Sequence, residues 1–286
     1  MSFIKILILA IVQGAAELLP ISSSAHVILA EKLMGLDPTN PEMTLILVML
    51  HTGTMFAVIF YFWNSWKMDF FSSRKEFWSF FKLILVATAF TGAIGLALKF
   101  LIERLIFSHV PHAEVELLFG NLALIAVSLA IVGLLIIYAG MYGDRPTKMA
   151  VLGFKETSWI GAIQGLCLPF RGFSRSGATI SVGLLNGISK VKAEEFSFAL
   201  AVVITPPIII REALRLLKAH PVFLSDRVSL VGLFYPSLMG MVFSCISGLL
   251  ALRWLSRWLE NGRWQLFGFY CLGASGFVFL LYRLGF

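Results

Sequence analysis

The chain has 286 residues, of which 58% are hydrophobic and 14% charged, with a formal net charge of +7. A soluble domain carries roughly 25% charged residues, so this composition excludes an ordinary soluble enzyme and describes a polytopic helical membrane protein. The Lys and Arg residues are spread over several loops and form no single patch. That reads as loop charge facing an anionic leaflet, and no nucleic-acid partner is expected.

The N-terminus places Lys5 before the apolar run ILILAIV and so imitates a signal peptide. The run meets Gln13 and Glu17 with no good small-residue cleavage site after it, and is read as retained. Residues 3–34 are apolar but broken at Pro20 and at Ser22, Ser23 and Ser24. Three spanning helices are predicted next, at about 43–63, 80–102 and 116–141. Residues 156–188 repeat the broken pattern, interrupted at Arg171, Gly172 and Ser174. Spans at about 195–217, 228–252 and 265–285 complete the chain. Cys167, Cys245 and Cys271 lie in apolar segments without metal-site or disulfide spacing, and are read as small buried hydrophobes.

The two broken stretches resemble each other. QGAAELLPISSSAH (13–26) aligns without a gap on QGLCLPFRGFSRSG (164–177), at an offset of 151 residues. Each half of a broken stretch is too short to span, so each whole is predicted to be a re-entrant helical hairpin, with its turn buried in protein or lining a wet cavity. Three spans separate the hairpins, and three is odd. The second half therefore begins on the opposite face, as an inverted-topology repeat whose hairpins meet near the midplane. The expected architecture is an all-α polytopic membrane protein of six transmembrane helices plus two re-entrant hairpins. It forms a single integral membrane domain over 1–286, with repeat 1 at about 1–141 and repeat 2 at about 152–286. Eight Lys and Arg fall on the side of the N-terminus and twelve on the other, which makes the other side cytoplasmic.

Charges at membrane depth cost roughly 2.5–3.5 kcal/mol each on insertion scales, so those retained point to function. Gln13 and Glu17 are four apart and share a helical face. They suit a hard divalent cation, Mg²⁺ or Ca²⁺, or simply bond to each other within the bundle. Ser22, Ser23 and Ser24 can cap a helix or hold anionic oxygens. His26 follows Ser23 by three residues. The two could form a nucleophile and base, or His26 could itself attack phosphorus; the plainer alternative is caps and a bonded core histidine. In RGFSRSGAT (171–179), Gly172 allows close backbone approach, and Ser174, Ser176 and Thr179 supply hydroxyls. Arg175 supplies a fork of donors matched to phosphate, and a helix starting near Ser176 would add its positive end. Arg171 is either a second phosphate contact or a side chain that snorkels along the loop. Of the remaining histidines, His51, His109, His112 and His220 carry no motif; His51 could face the site, with a core role the plainer reading. A carboxylate and amide for a cation, a Ser/His nucleophile candidate and an Arg clamp together suit phosphoryl transfer on a membrane-borne substrate.

These motifs resemble those of the undecaprenyl-pyrophosphate phosphatase family, the bacitracin-resistance phosphatases. The family's (E/Q)xxxE element and PxSSxxH match residues 13–26, and its PGxSRSGxT matches 171–179 with Arg171 in place of Pro. The small residue before His26, often Gly, is Ala25 here. The segments AEEFSFALAV (193–202) and GTMFAVIFYFW (53–63) are also similar to the family. The resemblance implies hydrolysis of the C55 carrier pyrophosphate to the monophosphate and phosphate, in carrier recycling for cell-wall synthesis. It implies Glu17 as the indispensable carboxylate, with Gln13 beside it, Ser23 and His26 at the reacting phosphorus and Arg175 on the pyrophosphate. A divalent cation, an outward-facing site in the bacterial inner membrane, and prenyl-lipid and bilayer-lipid partners are also implied, with a homodimer left open. A carrier that flips polyprenyl phosphate is the alternative, but carrying an anion requires neither Glu17 nor His26.

Overall fold

The computed structural model describes residues 2–36, 41–105, 118–142, 152–219 and 227–285. Every regular element among them longer than a single turn is an α-helix, and there are ten: α1 (Phe3–Leu18), α2 (Ser23–Leu33), α3 (Pro41–Asp69), α4 (Arg74–Leu105), α5 (Leu122–Tyr142), α6 (Phe154–Cys167), α7 (Arg175–Leu185), α8 (Lys190–Ala219), α9 (Arg227–Glu260) and α10 (Trp264–Arg283). Six are long and apolar enough to cross a membrane: α3, α4, α5, α8, α9 and α10. They are the six expected spans: α3, α4, α8 and α9 run wider, α5 starts later, and α10 lies one to two residues earlier. The predicted start of the third span, at 116, lies outside the described residues, and so do His109, His112 and His220.

The four short helices are the halves of the two broken stretches. α1 has 16 residues and α2 has 11, which at 1.5 Å per residue reach about 24 Å and 17 Å, short of a core of roughly 30 Å. The same holds for α6 and α7, at 14 and 11 residues. Pro20 ends α1 because a residue before proline is pushed out of the helical region; Leu19 is extended at φ −70° and ψ 149°. α2 restarts at Ser23, with Ser22 of the serine run as its N-cap accepting from the Ala25 amide. α7 restarts at Arg175, one residue before the expected start, capped by Ser174 accepting from the Gly177 amide. Within each pair the two helices pack on one another.

The packing exchanges the halves. α1 lies on α9 as α6 lies on α4, and α5 lies on α10, its counterpart in the other half. The α3–α9 contact is far more extensive than the equivalent α8–α4 contact, so the exchange is incomplete. Gly14 and Gly165, 151 residues apart, make these contacts possible. A Cβ on Gly14 would meet the Ser244 carbonyl oxygen at 2.5 Å on α9, and one on Gly165 would meet the Thr91 carbonyl oxygen at 2.7 Å on α4. Gln164 follows this approach and donates to Thr91 Oγ1 at 3.0 Å, while Thr91 donates to the Gly161 carbonyl at 3.0 Å.

The core is continuous through both halves. Leu129 and Ile136 of α5, Phe196 and Phe198 of α8 and Trp264 of α10 are fully buried, and Trp264 Nε1 donates to Ser181 of α7. Cys167 and Cys271 are buried and Cys245 is half-buried, all as free thiols. A polar tie binds α3, α8 and α9: Ser256 donates to Glu194 at 2.6 Å, Tyr61 donates to Ser256 at 2.9 Å, and Glu195 is bonded by Ser65 and Lys192.

Gly165→Ala should lower the thermal unfolding midpoint in detergent, since overpacking a tight helix contact costs about 1–3 kcal/mol. Gly92→Ala on α4, where an added Cβ meets nothing within 4 Å, should hold or raise it, because alanine is the better helix former. Equal midpoints for the two variants would show that the α4–α6 approach is not tight.

Candidate active site

The two turns that break the hairpins abut. Ser176 donates to the Leu19 carbonyl at 3.4 Å, and the Gly172 amide donates to Ser24 Oγ at 3.3 Å. Gly172 has φ +94°, and a Cβ there would meet the Ile125 carbonyl oxygen at 2.6 Å, so only glycine seats this turn against α5 without strain. The contacts bring the first residue of α2 and the first residue of α7 to one place. Two helix N-termini, each with unpaired amides and a partial positive charge, therefore face the same centre.

Glu17, one residue before the end of α1, occupies that centre. Its Oε1 accepts from Arg175 Nη2 at 3.2 Å. Its Oε2 accepts from Ser23 Oγ at 2.5 Å and from Gln13 Nε2 at 3.3 Å. His51 Nε2 stands 4.0 Å from the same oxygen. The imidazole comes from α3, and its side chain is 42% exposed, so the core role expected for His51 is replaced by a place at the edge of the site. His51 Nδ1 bonds the Leu47 carbonyl at 2.8 Å, which leaves Nε2 toward Glu17.

Arg175 is held on its other side by the Ser197 carbonyl at 3.5 Å. Thr179 donates to the Arg175 carbonyl at 2.8 Å and bonds the Ser197 hydroxyl at 2.6 Å. Guanidinium has five donors, and these contacts use two of them, so a face of the fork is free for an anion.

The Ser23–His26 pair suggested by sequence spacing does not form. Ser23 turns to Glu17 across the hairpin turn. His26 reaches back along its own helix, where Nδ1 bonds the Ser22 carbonyl at 2.8 Å, and its Nε2 bonds the Tyr270 hydroxyl at 2.7 Å. Side chains on a helix lean toward its N-terminus, which puts His26 over the Ser22 carbonyl rather than beside the Ser23 hydroxyl. Ser22 carries φ 70°, the only positive φ at a non-glycine among the described residues. Such backbone costs of order 1–3 kcal/mol and persists where surroundings over-determine it.

The remaining hydroxyls hold the hairpins together. Ser22 and Ser24 bond each other at 3.2 Å, and Ser174 and Ser176 do so at 3.4 Å. Ser174, Ser176 and Thr179 are buried, at 3%, 2% and 0% exposure, and spend their bonds within the protein. Arg171 lays its guanidinium over the Phe119 ring, 4.4 Å from the centroid, a cation–π contact beside the loop. Among the described residues no three His, Cys, Asp or Glu side chains gather as a metal cage. Gln13 presents its amide N–H₂ to Glu17, so a cation at Glu17 would rest on one carboxylate and on oxygens that arrive with it, the usual habit of Mg²⁺.

Sequence reasoning missed Ser197 and Tyr270. Ser197 lies within AEEFSFALAV, a segment that splits its residues between Arg175 and the polar tie through Glu194 and Glu195. Tyr270 sits in an apolar span with no motif around it.

Comparison with known proteins places this geometry. The family model described as bacitracin resistance protein BacA matches residues 6–277. The chain is 56% identical to "Undecaprenyl-diphosphatase 2" of Acinetobacter baylyi, over 98% of each chain. It is 31% identical to "Undecaprenyl-diphosphatase" of Thermodesulfovibrio yellowstonii and 33% identical to "Undecaprenyl-diphosphatase 2" of Burkholderia thailandensis, in both cases over 97% of this chain and 96% of the relative.

Glu17 and Arg175 are about one-fifth exposed, so removing one strands the other. Glu17→Ala should cost about 3 kcal/mol of stability. Adding Arg175→Met should recover part of that loss, read as a thermal midpoint above that of the single variant. A double variant less stable than Glu17→Ala would show that the pair is not coupled.

Proposed function

The chain belongs to the bacitracin resistance protein BacA family, and from that premise we propose that it hydrolyses undecaprenyl pyrophosphate to the monophosphate and inorganic phosphate. The family's name adds bacitracin resistance to this reading. The observation that carries the proposal is the Ser23–Glu17–Arg175 cluster set between two helix N-termini inside an apolar bundle. A hydroxyl bonded to a carboxylate is a nucleophile with its base, and an arginine with free donors beside it is an anion clamp. A carrier of polyprenyl phosphate needs the clamp but not the nucleophile.

In the proposed reaction the pyrophosphate lies across the starts of α2 and α7, with its terminal phosphate on Arg175 and the free amides. Ser23 Oγ forms a bond to the terminal phosphorus as its proton passes to Glu17 Oε2. The bond from that phosphorus to the bridging oxygen breaks, Glu17 gives the proton to that oxygen, and polyprenyl monophosphate leaves with Glu17 again a carboxylate. Water then attacks the phosphoserine with Glu17 again as base, the Oγ–P bond breaks, and phosphate departs with Ser23 reprotonated. His26, with Nε2 engaged by the Tyr270 hydroxyl and Nδ1 on the Ser22 carbonyl, borders the leaving-group side and shapes it. A divalent cation, Mg²⁺ or Ca²⁺, would be held by Glu17 with Gln13 beside it, and would add charge neutralisation on the phosphate oxygens.

The same proposal sets the chain in a membrane. The helix pairs α1–α2 and α6–α7 are read as re-entrant hairpins, and the halves at about 1–141 and 152–286 as inverted repeats of one domain. Support comes from the shortness of the four helices and from the exchange of α1–α9 with α6–α4. The bacterial inner membrane, with the site opening outward, fits the charge count across the loops.

Purified protein in detergent should release phosphate from a prenyl pyrophosphate. Ser23→Ala should lower kcat by at least about 100-fold with the fold intact, since a nucleophile and its base act as a unit. Release unchanged in Ser23→Ala would overturn the nucleophile assignment, and no release by the wild type would overturn the phosphatase. Excess chelator should abolish turnover and restored Mg²⁺ should return it; full activity in chelator would remove the cation from the scheme.

A further inference from the structure

Resting on the phosphatase reading, we propose that Tyr270 is a positioning residue for the reaction, its hydroxyl holding His26 Nε2 at the boundary between the polar centre and an apolar cleft. Two contacts define His26. Nδ1 faces a carbonyl, which only accepts, so Nδ1 carries the proton and Nε2 carries the lone pair. The Tyr270 hydroxyl therefore donates to Nε2 at 2.7 Å. The rings lie nearly parallel, 17° apart with centroids at 5.7 Å, so stacking fixes the plane as the hydrogen bond fixes the tautomer.

Tyr270 is itself placed firmly. The next residue, Cys271, is buried and bonds the Pro20 carbonyl at 3.3 Å, which pins α10 to the turn between α1 and α2. The contact thus links the last helix of the second half to the hairpin of the first. His26 and Tyr270 form the polar end of a cleft of about 430 Å³ whose remaining walls, including Leu29, Leu129, Ala274 and Phe277, are apolar. A lipid pyrophosphate has the same polarity, with one charged end and one hydrocarbon end. Tyr270 keeps the imidazole from swinging into the apolar part and holds it, with both nitrogens engaged, at the junction.

Tyr270→Phe tests this, because it keeps the ring and its stacking and removes only the donor. Turnover of a prenyl pyrophosphate should fall about tenfold in kcat with KM within about twofold and the thermal midpoint held. In ¹⁵N-histidine spectra, with His26→Gln identifying the signal, the His26 Nε2 resonance should move in Tyr270→Phe. An unchanged kcat with an unmoved resonance would overturn the proposal. So would a raised KM at normal kcat, which would make Tyr270 a wall for the lipid and nothing more. A wild type that releases no phosphate would instead defeat the phosphatase reading, while the resonance would still report whether Tyr270 holds His26.

Discussion

The ion pair between Glu17 and Arg175 joins the last turn of α1 to the first residue of α7, two points 158 residues apart in the chain. Everything polar at the centre depends on it. Without Arg175 the carboxylate would face two serine-rich turns with only the edge imidazole of His51 nearby. Without Glu17 the guanidinium would stand at the start of a helix whose own partial charge repels it. The pair explains why each half of the chain alone would carry a charge it could not bury.

Around the pair, the bundle solves a second difficulty. Two broken helices expose free amides and carbonyls where water is scarce. The structure answers with short side chains from the opposing turn: Ser176 on the Leu19 carbonyl, Ser24 on the Gly172 amide, Ser22 and Ser174 as caps. These serines looked from sequence like ligand contacts, and most are structural mates of each other. Close glycine contacts at equivalent places, Gly14 on α9 and Gly165 on α4, let the backbones come near enough for the turns to abut.

How much of this was legible follows the range of each interaction. The six spans and four short helices could be read from apolar run length and from Pro20, which act locally. That the two motifs meet could be read from their likeness at an offset of 151 residues, and their turns do abut. What could not be read was which side chain meets which. Ser23 and His26 share a helical turn, yet the hairpin turn delivers Glu17 to Ser23 first, and the Ser22 carbonyl takes His26. His51 and Tyr270 belong to the site only through helix packing, and on an apolar helix one tyrosine looks like any other. Arg171 had two readings in sequence, and its stack on Phe119 depends on the approach of α5, which no local pattern announces.

The placing of Glu17 has a consequence for traffic through the site. Two helix starts and an arginine form a receptor for one anion, and the protein supplies that anion itself. A phosphate group arriving there takes the donors that the carboxylate leaves free, and lies beside its charge. In the proposed reaction the substrate therefore enters against the repulsion of a tethered anion, and the product departs with its help. A tethered charge of this kind weakens the hold on every phosphate alike, which favours rapid clearance of a small product over tight retention.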